Sequence, residues 1–152
     1  PSKGKRMNIE RVQKQLELDE GVEHRIYHDH LGLATFGIGH LVLTSDPEFS
    51  LEIGTPVTPE RVATAFAEDL AIAENECKVL YYFWEELPEE VQEILVNMMF
   101  NLGRPRLSKF KKMNAHIEDE NWRCAAVEGR DSRWYRQVGQ RAERLMVRME
   151  NV

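Results

Sequence analysis

The sequence predicts a mainly helical α+β fold, with a small N-terminal lobe that contains strands and a larger helical C-terminal lobe. Three observations carry this. Two strand-like segments stand close together, at about 24–28 and 33–41. A long amphipathic run follows them, opened by Thr58-Pro59-Glu60. The rest breaks into shorter segments with apolar residues at helical spacing. With 152 residues the chain can bury one substantial core and fits a single domain over 7–152. Within it, about 20–57 make the small lobe, about 58–83 the linking helix, and 84–152 with 7–19 the helical lobe.

Composition narrows the class. No apolar run approaches the length of a membrane span, so no stable membrane insertion is expected, and no signal peptide precedes the first amphipathic segment. A net charge of −6 argues against nucleic acid as a partner. Cys77 and Cys124 are too few and too far apart for a disulfide framework or a zinc site. Two buried free thiols in a reducing compartment are expected instead. Nothing calls for a metal or another cofactor, and a monomer is expected.

Residues 1–6, PSKGKR, are basic and shapeless, and read as a disordered extension or an expression remnant, with Met7 a candidate natural start. Asn8 caps a helix carrying Ile9, Val12 and Leu16, which stops at Gly21. The segments His24–His28 and Leu33–Leu41 are the two strands, joined through Asp29, His30, Leu31 and Gly32. Residues 44–57 are loop-like, with room for one short helical turn. Thr58 as N-cap, Pro59 at the first helical position and Glu60 in the first turn then start the long helix, expected to reach about Phe83. Leu87-Pro88 opens another, ending near Gly103. Shorter helices are expected at about 107–117, 120–128, 132–135 and 140–149.

The chemistry concentrates between Asp19 and His40, DEGVEHRIYHDHLGLATFGIGH. Splitting a glycosidic bond needs one carboxyl that donates a proton to the leaving oxygen and a second, ionised, that activates water or attacks directly. Glu20, near a helix C-terminus and flanked by apolar surface, sits where dipole and burial disfavour its charged form. Asp29, in a turn open to water, keeps its charge. Thr35 shares one face of the predicted strand with Gly37 and Gly39, and glycines gathered on one face mark close approach by a ligand or by another backbone. Gly39 is assigned to substrate contact on that ground, and His40 is read as a hydrogen-bonding brace that orients the acid. Plainer roles stay open for each: a solvated acid at a helix end, a turn-forming aspartate, glycines that only pack.

Other groups are weaker. His24, His28 and His30 with Asp29 offer metal-ligand chemistry, but their spacing is wide and solvated surface histidines are the favoured reading. The basic run Arg104 to Lys112 reads as a solvated face, and Trp122, Trp134 and Tyr135 as core. Phe100-Asn101, an aromatic and an amide at a helix end, suit sugar contact.

The motif DEG…IY.D..G…T.GIGH, together with NMMFNLG, FKKM, W..AAV and SRWY further on, resembles the small phage lysozymes of the T-even type, glycoside hydrolase family 24. The likeness runs from Met7 to about Arg144, and Glu20, Asp29, Thr35, Gly37, Gly39 and His40 match the family's catalytic motif without a gap. It implies a lysozyme-like fold whose two lobes are joined by one long helix, with a cleft between them. Glu20 then resembles the general acid, Asp29 the second carboxylate, and Thr35 the hydroxyl that helps hold the attacking water. Arg141 matches an arginine that pairs with the acid, and Leu41 and Phe100 match residues that touch substrate. The implied reaction is hydrolysis of the β-1,4 bond between N-acetylmuramic acid and N-acetylglucosamine in bacterial peptidoglycan, with inversion. Met113 and Glu128 stand where family members offer small or amide groups to the glycan, which implies different subsite contacts here.

Three rivals are a non-catalytic wall-binding module on the same fold, a zinc amidase built on the histidines, and an enzyme for chitin oligomers. The expected role is that of an endolysin held in the host cytoplasm until a separate membrane protein opens the way. A tail-associated lysozyme is the alternative.

Overall fold

The computed structural model describes residues 7–152. The expectation for residues 1–6 lies outside the described residues. Two compact units emerge, one of residues Gln13–Ile72 and one of Ala73–Val152 together with residues 7–12. The fold is lysozyme-like α+β, mostly helical with one small antiparallel sheet.

In the unit Gln13–Ile72, helix α1 (Ile9–Glu20) leads into strands β1 (Glu23–His28), β2 (Ala34–Gly37) and β3 (His40–Leu41), paired in the order β1-β2-β3. Tyr27 faces Thr35 across β1 and β2, and Phe36 faces His40 across β2 and β3. The segment expected to be one strand, Leu33–Leu41, is therefore two. Gly37 and Gly39 both adopt a φ of +65°, in the left-handed region, and the chain doubles back over residues 37–39. Residues 54–57, expected as loop, line the outer edge of β1 instead. Ile26 N–H donates to Thr55 O at 2.9 Å, and Val57 N–H to His24 O at 2.8 Å. Leu16, Ile26, Phe36, Ile38, Val57, Val62 and Phe66 form the buried interior.

Helix α2 (Pro59–Leu80) opens as expected, the Thr58 hydroxyl accepting the Arg61 N–H at 3.1 Å. It ends before Tyr81, whose ring is buried and whose hydroxyl donates to Asn114. The helical unit continues with α3 (Glu89–Leu102), α4 (Arg104–Leu107), α5 (Lys111–Glu118), α6 (Trp122–Arg130), α7 (Arg133–Val138) and α8 (Gln140–Glu150). Every residue of α3 from Val91 to Met99 is buried, which makes it the helix the others pack around. Among those residues is Glu93, whose carboxylate takes Arg11 and Arg148.

The helix expected over 107–117 is split. Ser108 donates its hydroxyl to Pro105 O and Asn114 its amide to Leu107 O, so side chains take carbonyls that a continuous helix would use. The helix expected from Glu120 starts at Trp122, because Glu120 has a φ of +57° and Asn121 caps the helix by accepting the Cys124 N–H. Trp134 is core as expected, whereas Trp122 and Tyr135 are half-buried. Cys77 is buried, but Cys124 is exposed, contrary to expectation, on the outer face of α6.

Candidate active site

Helix α1 ends at Glu20, and Gly21 at a φ of +79° closes its last turn with a 2.9 Å bond to Glu17 O. The half-buried Glu20 side chain lies against the β2–β3 hairpin. A Cβ placed on Gly39 would sit 2.8 Å from Glu20 Oε1 and 3.3 Å from its Cδ. The close approach that the glycines announced is thus partly internal: a side chain at 39 would run into Glu20, and a Cβ at 37 would stand 3.2 Å from Val62 Cγ1.

Asp29 follows β1 in a tight loop. Its Oδ1 accepts the Leu31 and Leu33 N–H groups, both at 2.9 Å, and its own N–H donates to Leu33 O at 2.9 Å. The bond from Leu33, seconded by that from Leu31, holds the carboxyl below its ordinary range, so Asp29 is ionised at neutral pH. Thr35 is buried, and its hydroxyl donates to the same Leu33 carbonyl at 3.0 Å. Leu33 therefore holds both groups, the Asp29 carboxylate through its N–H and the Thr35 hydroxyl through its carbonyl. Leu41, opposite Thr35 in the sheet, is half exposed.

His40 is buried between two carboxylates, with Nδ1 2.7 Å from Asp69 Oδ2 and Nε2 2.8 Å from Asp46 Oδ2. Burial alone would push the imidazole towards the neutral form, but the bonds to Asp69 and Asp46 outweigh it and raise its pKa. Asp46 also accepts the Leu43 N–H at 2.8 Å and Arg61 Nη2 at 3.2 Å, and Arg61 grips Glu48 with two bonds at 2.9 and 3.0 Å. Sequence reasoning found His40 and missed Asp46, Glu48, Arg61 and Asp69. The acids at 46 and 48 lie in a loop-like stretch where acids read as solvated, and nothing in the sequence marks separations of 6 and 29 residues as partners.

The other assigned residues belong to the helical unit. Asn101 Oδ1 accepts Trp134 Nε1–H at 2.8 Å, which fixes the orientation of its amide. Phe100 is half-buried. Arg141 is buried, its Nε donating to Asn97 Oδ1 at 3.0 Å. The same unit carries a cavity of about 670 Å³ with Phe110, Met113 and Trp134 among its walls and Lys111, Lys112 and Arg133 among its charges. His24, His28 and His30 are exposed, and among the described residues no group of three His, Cys, Asp or Glu residues is placed to hold a metal ion.

The model of the phage lysozyme family matches residues 17–151. The chain is 31% identical over 150 residues to the pre-baseplate central spike protein Gp5 of Enterobacteria phage T4, covering 87% of this chain and 26% of that protein. It is 27% identical over 157 residues to probable T4-type lysozyme 2 of Dictyostelium discoideum, covering 91% of this chain and 92% of the relative. It is also 31% identical over 139 residues to peptidoglycan hydrolase gp36 of Pseudomonas phage phiKMV, covering 90% of this chain and 15% of that protein. The chain thus spans about a quarter of the spike protein's length and less of the hydrolase's. With a family match over nearly its whole length, laid on a helix-end glutamate, a looped aspartate and a glycine hairpin, this chain belongs to the phage lysozyme family.

Proposed function

We propose that this protein is a peptidoglycan hydrolase that cleaves the β-1,4 bond between N-acetylmuramic acid and N-acetylglucosamine with inversion. Glu20 acts as the general acid, and Asp29 with Thr35 prepares the water. The observation that carries this reading is the shared tie of Asp29 and Thr35 to Leu33. Asp29 Oδ1 is taken by backbone N–H groups, which leaves Oδ2 to accept from a water. The Thr35 hydroxyl already donates to Leu33 O, so towards a water it can only accept. A water whose two hydrogens point at Asp29 and Thr35 presents its lone pair outward, the arrangement needed for direct attack. As its oxygen bonds to the anomeric carbon, Asp29 takes a proton from it and Glu20 gives one to the departing oxygen.

Leu41, Phe100 and Asn101 are assigned to substrate contact and Arg141 to the acid, on the resemblance. The cavity in the helical unit has aromatic and apolar walls for a sugar face, with lysines and an arginine for carboxylates of the wall. That local positive charge offsets the repulsion between an acidic protein and an anionic polymer.

The test is digestion of purified peptidoglycan with analysis of the released ends. New N-acetylmuramic acid reducing ends are expected, with the α anomer first by proton NMR. Glu20→Gln should lose about 10²–10⁴-fold in rate while staying folded. A β anomer appearing first would make Asp29 a covalent nucleophile, and release of peptides without sugar ends would make the enzyme an amidase.

For the biological role we favour an endolysin that waits in the host cytoplasm. A tail-associated lysozyme is the second reading, favoured by the 31% identity to a central spike protein of phage T4. Fractionation of virions would separate the two, since only a tail lysozyme is found in the particle.

A further inference from the structure

The unit Gln13–Ile72 holds a charge cluster for which the proposed reaction has no direct use. Asp46, Glu48, Arg61 and Asp69 gather around His40 from the segment after β3 and from α2. One hydrogen bond would let an imidazole pivot. Two, from opposite ring nitrogens to carboxylates at 2.7 and 2.8 Å, fix both its position and its tilt, and both require the ring to donate. The ring also packs on Phe36, its cross-strand partner, with centroids 4.8 Å apart, and Arg61 covers the Phe36 ring at 5.5 Å while holding Glu48. Both arms of the β2–β3 hairpin are therefore pinned by the same set of charges.

Between those arms lies Gly39, adjacent to His40 in the chain, where a Cβ would stand 2.8 Å from Glu20 Oε1. The carboxyl therefore occupies space that only a glycine leaves open, and a shift of the hairpin alters the room beside it. We infer that Asp46 is a positioning residue for hydrolysis, which, by clamping His40 Nε2, sets the height of the hairpin and so the placement of the Glu20 carboxyl. This rests on the reading of Glu20 as the acid. Asp69 anchors His40 directly to α2, whereas Asp46 is the group through which Arg61 and the turn at Leu43 also act on the ring.

The experiment is Asp46→Asn, which keeps the shape and removes the charge that the imidazolium needs. It is assayed on soluble peptidoglycan fragments well below its melting midpoint. We expect kcat to fall about ten- to a hundred-fold, as for a small misplacement of a reacting group, with KM within about two-fold of the parent. The carboxyl carbon resonance of Glu20 in ¹³C-labelled protein should move while that of Asp29 stays. If Asp46→Asn does not fold, Arg61→Lys, which loosens Asp46 without removing it, should show the same pattern in milder form. A folded variant with the parent kcat and an unmoved Glu20 resonance overturns the inference, however much stability it has lost. So does a fall in kcat with the resonance unmoved. The resonance reads placement without any turnover, so a failure of the Glu20 assignment, detected by an active Glu20→Gln, remains a separate result.

Discussion

At Gly39 the backbone and the acid compete for the same space, and Gly37 supplies the control. Both have a φ of +65°, so an alanine at either pays the left-handed penalty of about 1–2 kcal/mol. Their neighbours differ: a Cβ at 39 meets Glu20 Oε1 at 2.8 Å, and one at 37 meets Val62 Cγ1 at 3.2 Å. Gly39→Ala should therefore lose about 10²-fold or more in activity through displacement of the carboxyl. Gly37→Ala should melt lower by a similar amount yet keep most of its activity. Paired melts and assays decide it, and equal activity losses would mean that strain in the hairpin, not contact with Glu20, sets the rate. The sequence announced a close approach here but could not name the partner, since Gly39 and Glu20 meet only once helix and hairpin are placed. Asp29 was more legible, because an aspartate that binds N–H groups two and four residues on is a local event.

Elements were legible where local chemistry fixes both ends. Asn8 and Thr58 cap α1 and α2 as their residue types suggest, and Gly103, at a φ of +78°, ends α3. Illegible were the breaks that depend on a distant or competing bond: Tyr81 reaching Asn114 as α2 stops, Asn114 taking the Leu107 carbonyl between α4 and α5, and residues 54–57 pairing with β1. The packing of α6 belongs to this second kind. Ala125, Ala126 and Gly129 are buried on its inner face, and the Met146 sulfur of α8 occupies the place where a Cβ of Gly129 would project, with Met113 of α5 at 3.4 Å behind it. In an open helix Gly→Ala gains about 1 kcal/mol from propensity. Here the thioether is walled in, and overpacking of about 1–3 kcal/mol should outweigh that gain. Gly129→Ala should accordingly lower the melting midpoint, and should cost less in a Met146→Ala background than in the parent. A single variant more stable than the parent would show that α6 and α8 can part without cost.

For the whole molecule, the charge cluster makes stability a function of pH on both sides of neutrality, and the signs follow from the direction of each shift. His40 has its pKa raised on folding above the ordinary value of 6.5, because Asp69 and Asp46 outweigh its burial. Its contribution is full below about pH 6.5 and is lost as pH climbs through the folded value. Asp46 and Glu48 are shifted the other way. Burial works against Asp46, but the Leu43 N–H, His40 and Arg61 keep its pKa below 3.8, and the Arg61 bonds keep that of Glu48 below 4.5. Their contributions are present above those ordinary values and fade as pH drops through the folded ones. The melting midpoint should therefore form a plateau with an acid shoulder due to the carboxylates and an alkaline shoulder due to His40. Asp69→Asn removes one of the two carboxylate charges that keep the imidazole protonated. Its alkaline shoulder should move down towards about pH 6.5, and the gap between parent and variant should narrow as pH rises past the parent's shoulder. Melts from about pH 3 to 10, with the His40 ring protons followed by NMR, test both statements. A parent whose midpoint stays flat while its His40 resonance titrates would mean that the clamp holds the hairpin in place without adding to the stability of the fold.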